Sequence, residues 1–103
     1  MAIRHYRDLE VWQRAMDLVE QVYRIAKTLP AEERYGLTSQ IQRAAVSIPA
    51  NVAEGHGRTH RGDYLHHLSI ARGSLAELET QLAEGERLTA VVRGKLRGLG
   101  NGS

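Results

Sequence analysis

Between Asp8 and Leu29 the apolar residues fall into two parallel rows. One row is Leu9, Trp12, Met16, Val19, Tyr23 and Ala26; the other is Val11, Ala15, Leu18, Val22, Ile25 and Leu29. Each advances by threes and fours, the spacing that keeps side chains on one face of a helix. The pattern predicts a first helix over about residues 8–29, ~31 Å long. Together the rows make a stripe wider than the seam of a two-stranded coil, so this helix needs more than one neighbour. Asp17, Glu20, Gln21, Arg24 and Lys27 are left for water.

Pro30 marks the stop of that helix. A second helix is predicted over about 37–55, with Leu37, Ile41, Ala44, Ala45, Ile48 and Val52 as its buried row. Ser39 and Gln42 have the spacing of a capping box. Pro49 falls inside the row, where it removes an amide donor and crowds the carbonyl four residues back. Because the apolar spacing resumes beyond it, the expectation is a kinked but continuous helix, with two short helices as the alternative. Gly55 and Gly57 end the element.

The third helix, over about 61–87, carries a seam of Tyr64, Leu68, Ala71, Leu75, Leu78, Leu82 and Gly85, stepping by four and three throughout. Thr59 is its expected N-cap, Asp63 suits the positive end of its dipole, and small residues at Gly73 and Ser74 invite close approach of another backbone. Beyond Leu88 the pattern fades. Thr89 is placed to cap a short fourth helix over about 90–99 carrying Val91, Val92, Leu96 and Leu99, which Gly94, Gly98 and Gly100 weaken by ~1 kcal/mol each. The expected fold is therefore all-α: one domain over 1–103, an antiparallel up-down four-helix bundle with three long helices and a shortened fourth.

Composition removes several function classes. There is no cysteine among the 103 residues, hence no disulfide scaffold, thiolate metal site or thiol nucleophile. The opening MAIRHYRDLE carries charges where a secretory signal needs an apolar run, and no stretch approaches ~20 apolar residues, so a soluble cytoplasmic protein without membrane contact is expected. Net charge is only +2, but all 12 acidic residues lie at or before Glu86, while Arg87, Arg93, Lys95 and Arg97 follow with no acid. A second basic excess spans His56–Arg72, where Arg58, Arg61, Arg72 and four histidines meet only Asp63.

His56, His60, His66 and His67 are close in sequence, yet their spacing gives no three convergent ligands. Asp63 and His66 approximate one half of a di-iron bundle motif and no second half exists. Glu77, Glu79, Glu84 and Glu86 read as a solvated face. Glu54, with Asn51 one turn beyond Pro49, reads as a structural group that caps freed backbone or pairs with Arg43. There is no nucleophile elbow, phosphate loop or dinucleotide fingerprint. No catalytic residue, metal site or cofactor is expected.

Three ordered segments carry a resemblance: YRDLEVW at 6–12, YGLTSQIQRAAVSIPANVAEGHGR at 35–58, and GSLAELETQL at 73–82. Over about residues 4–88 the chain resembles the four helix bundle protein family, also called the 23S rRNA intervening-sequence protein family. The resemblance implies a left-handed four-helix bundle, a bacterial genomic context, assembly as a homopentameric ring and no established activity. The accessory protein of diversity-generating retroelements is similar, a basic pentamer that engages nucleic acid and a reverse transcriptase. The chain departs from the family in His60, where a serine cap is usual, in Arg72, where an apolar residue is common, and in the short fourth helix.

Two function classes follow. The first is a non-catalytic oligomer that binds RNA or DNA, or a nucleic-acid-handling protein, with Arg58, Arg61, Arg93, Lys95 and Arg97 as phosphate contacts. The second is a purely structural, protein-interaction module. In either class the half of the first helix left bare by the short fourth one calls for a homo-oligomer, a pentamer first and a dimer second.

Overall fold

A computed structural model describes residues 5–58 and 60–101, the stretch 95–101 by backbone alone. A short 3-10 turn at Tyr6–Asp8 leads into α1 (Glu10–Ala26), a second at Ala31–Glu33 leads into α2 (Leu37–His56), and α3 runs over Arg61–Asn101. Every element described is helical. Among the described residues no helix is long and apolar enough to cross a membrane.

The helices run up, down and up. At one end Gly55 of α2 abuts Tyr64 and His67 of α3; at the other, Gly85 of α3 meets Leu29 and Leu37. α2 lies between its neighbours and packs on both, whereas among the described residues no Cα of α1 comes within 8 Å of one in α3. The core follows α2 along its length: Leu37, Ile41, Ala44, Ala45, Ile48 and Val52 are buried, with Ala15 and Val22 of α1 on one side and Ala71 and Leu78 of α3 on the other.

Two local expectations are met and one is corrected. α2 is continuous through Pro49, which is itself buried. Asp63 stands in the first turn of α3. The start of α2, however, is not capped by Ser39, which lies inside the helix; Glu33 of the preceding turn accepts from the Leu37 amide at 3.3 Å. The expected cap at Thr59 lies outside the described residues.

The larger correction concerns the fourth helix. There is none: α3 continues without a break from Arg61 to Asn101, 41 residues and ~62 Å. Three helices, not four, make up the described chain. The seam itself explains this. Gly85 is followed at the same +4 and +3 steps by Thr89, Val92, Leu96 and Leu99, so the weak C-terminal pattern is in phase with the strong one before it. Nothing after Pro49 breaks a helix by its ring, and no glycine of α3 adopts a positive φ. Thr89 caps nothing; its hydroxyl donates back to the Gly85 carbonyl at 2.9 Å, as a mid-helix threonine does. The molecule is consequently a rod, 66 × 22 × 18 Å.

Candidate nucleic-acid interface

The five expected phosphate contacts divide between two places. Arg58 follows the end of α2 and Arg61 opens α3, so the turn between these helices gathers both, with His56, His60 and Tyr64 around a shallow depression. The first amides of α3 point at this turn and add the positive end of the helix dipole, against which Asp63 sets one carboxylate. Arg58 is not equivalent to Arg61. Its guanidinium donates to the Glu54 carboxylate one turn back. Glu54 therefore pairs with Arg58 and not with Arg43.

Arg93 lies 32 residues further along α3, about 48 Å away at the helical rise. It is exposed and borders a groove lined by Ile25, Thr28, Leu29, Leu82, Gly85 and Glu86. Lys95 and Arg97 belong to the same stretch of helix, but their side chains lie outside the described residues. The structure thus brings Arg58 and Arg61 together and sets Arg93 far from both.

An exposed aromatic was not singled out by the sequence. Tyr35, in the connection before α2, is 88% exposed, with the Arg34 guanidinium 5.5 Å from its ring centre. A solvent-facing ring beside an arginine suits stacking on an unpaired base. The signal available was an aromatic–glycine pair next to arginine, outside any apolar row.

A second feature missed by the apolar reading is the polar seam between α2 and α3. The Ser47 and Ser74 hydroxyls hydrogen-bond across it. Asn51 donates to the Ser47 carbonyl at 2.8 Å, and its Oδ1 lies 3.2 Å from His67 Nδ1. One turn on, an ideal Cβ at Gly55 would stand 3.0 Å from His67 Cβ, so only glycine lets the helices approach there. Asn51 therefore serves the helix pairing and not the Ala45 carbonyl that Pro49 leaves without its amide. Gln81 continues the row, buried, with its side-chain nitrogen 3.5 Å from Glu77. Gly73, expected to admit another backbone, has nothing within 4 Å of its Cβ position.

As for a metal, no three His, Asp or Glu side chains converge among the described residues. His66 and His67 stack edge to face at 5.7 Å, and His67 is already engaged with Asn51.

Serine, asparagine and glycine at 47, 51 and 55 are the SIPANVAEG segment that carries the resemblance noted above, and they now have a structural role. A family model described as the 23S rRNA-intervening sequence protein matches residues 7–101. The chain belongs to that family. The match takes in the whole of α1 and α2 and all of α3 as bounded here, including the C-terminal stretch with Arg93. No curated protein sequence matches the chain.

Proposed function

We propose that this family member is a non-catalytic, self-associating helical module of the cytoplasm whose basic ends contact the backbone of RNA or DNA. The observation that carries the reading is the segregation of charge. Residues 87–103 hold four basic side chains and no acid, and the α2–α3 turn gathers Arg58 and Arg61 beside the positive end of a helix. Such surfaces bind phosphates without reading bases. Tyr35 with Arg34 adds a stacking surface for an unpaired base.

The two ends are ~48 Å apart along α3, which at ~3.4 Å per nucleotide spans about 14 nucleotides. Duplexes longer than that should bind more tightly than short ones by more than the gain in site number. The test is fluorescence anisotropy with labelled RNA of graded length, titrated at several salt concentrations. Replacing Arg58 and Arg61 together by alanine should flatten the dependence of log K on log salt by up to ~2 units. Wild-type protein that leaves every RNA and DNA free at low salt would remove the reading.

The second class, a purely structural module, is favoured by the two bare flanks of α1. Val11 and Ile25 are exposed on one side, Met16 and Tyr23 on the other. In that class the partner is protein, and self-association survives the loss of the arginines.

A further inference from the structure

The two basic ends of the rod differ in shape. Arg93 stands on a helix flank, whereas at the α2–α3 turn the cations surround a hollow. That depression measures about 310 Å³, at the small end of the ~300–1,000 Å³ usual for ligand sites. Its lining is Gly55, His56, Arg58, His60, Arg61 and Tyr64, and every one but the glycine has a side chain able to donate a hydrogen bond. Gly55 is buried and has no side chain, so Tyr64 Cδ1 stands 3.2 Å from the place a Cβ would occupy. His56 and Tyr64 are half-buried; Arg58, His60 and Arg61 are exposed. Among the described residues no carboxylate lines the hollow: Asp63 and Glu54 both stand outside it.

Lysine and arginine do not continue from this hollow along either helix. After Arg61 the next such residue of α3 is Arg72, ~16 Å on; before Arg58 the previous one in α2 is Arg43, ~22 Å back. A strand carries one phosphate per ~3.4 Å, so one laid along either helix would pass about four or more phosphates without a cation. At the neighbouring start of α1, Arg14 pairs with Glu10 and Arg7 sits 6.0 Å from the Tyr6 ring centre; neither lines the hollow. Two guanidiniums around one cup suit a single concentrated anion better than a tract of separate charges.

We infer that this hollow holds the terminal phosphomonoester of a nucleic-acid strand and not an internal phosphodiester. A monoester carries about −1.5 to −2 charges at pH 7 and three strong acceptor oxygens, more than the single charge of a diester. The planar forks of Arg58 and Arg61 match a phosphate edge through paired hydrogen bonds. Arg58 shares its charge with Glu54, whereas Arg61 forms no ion pair among the described residues, so Arg61 is the principal ligand. The rings of His56, His60 and Tyr64 border the same hollow. An end base has one face free of stacked neighbours, and such rings offer it a surface. The inference rests on the nucleic-acid reading above and names what the α2–α3 end of the rod recognises.

The experiment is fluorescence anisotropy on the full chain with one internally labelled single-stranded RNA, prepared with a 5′-phosphate, with a 3′-phosphate, or with hydroxyls at both ends. A slightly longer strand with hydroxyl ends matches the total charge of the phosphorylated ones using internal phosphates alone. At least one phosphorylated strand should bind about tenfold or more tightly than both hydroxyl-ended strands, and the two phosphorylated arms show which terminus is taken. Arg61 is exposed, so the fold survives its replacement. Arg61→Ala should erase the preference, and Arg61→Lys, which keeps the charge but not the fork, should leave part of it. If the longer hydroxyl-ended strand binds as tightly as both phosphorylated strands, the inference falls and the nucleic-acid reading stands. A preference that Arg61→Ala leaves intact has the same consequence. No binding of any strand at low salt overturns both.

Discussion

Leu78 and Leu75 are neighbours on one predicted seam, and the structure treats them differently. Leu78 is 1% exposed, enclosed between α2 and α3; Leu75 is 38% exposed. Truncating an enclosed leucine to alanine removes its transfer free energy and leaves a cavity, together ~2–5 kcal/mol. With packed neighbours unable to collapse, Leu78→Ala should cost about 3 kcal/mol, roughly a fifth to three fifths of the stability of a chain this size. At ~4–8 °C per kcal/mol the melting temperature should fall by at least 12 °C. Leu75→Ala forfeits only the covered share of its side chain, about 1–1.5 kcal/mol in a lone chain. Its cost should grow with protein concentration if a second copy covers it, since association then adds to stability. Urea denaturation of both variants at low and high micromolar protein separates these terms. Equal losses for the two leucines at the lowest concentration would refute the assignment of the α3 faces.

The glycines divide in the same way. Gly55→Ala should cost about 1–3 kcal/mol, because its Cβ would press on His67 Cβ at 3.0 Å and on Tyr64; Gly73→Ala, with open space around it, should stabilise by up to ~1 kcal/mol through helix propensity alone. Thermal melts of both variants check the pair. Ser47→Ala or Ser74→Ala singly should each cost ~1–3 kcal/mol by leaving a hydroxyl unpaired in a half-buried seam, while the double variant should cost less than the sum; strict additivity in urea melts would contradict the hydrogen bond. Of the two arginines at the α2–α3 turn, Arg61→Ala should weaken RNA binding more than Arg58→Ala, since Arg58 already shares its charge with Glu54; anisotropy titrations of the single variants decide.

The helical class, the extent of α2 and its passage through Pro49 were legible because the apolar row of α2 is deep and continuous. Leu75 was misplaced for a definite reason. The face of α3 that meets α2 contains His67, Ser74 and Gln81 at heptad spacing, and a search for apolar residues steps around them onto the adjacent ladder of Leu68, Leu75 and Leu82. The break after Leu88 was expected because the apolar pattern fades there and Thr89 suits a cap, both local signals, whereas the phase of the seam across Gly85 and Thr89 acts over the whole helix and prevails. At the candidate interface the arginines were visible as charge. The engagement of Arg58 by Glu54 was available from their four-residue spacing, and the exposure of Tyr35 was not, since nothing in an irregular connection fixes where a ring points.

The two sides of α3 differ in what they specify. The side toward α2 is held by paired polar groups, Ser47 with Ser74 and Asn51 with His67, and by the close contact at Gly55. A helix sliding one turn along that surface would bury each of these groups without a partner, so the seam fixes both the neighbour and the register. The side toward the groove offers leucine, valine and isoleucine, which accept any apolar helix of suitable length. An intramolecular partner needs no such selection, since a short connection already delivers it. Polar pairing therefore fixes the register of α2 on α3, while the groove side is lined by apolar groups with no such pairing, and neither contact needs the other's residues.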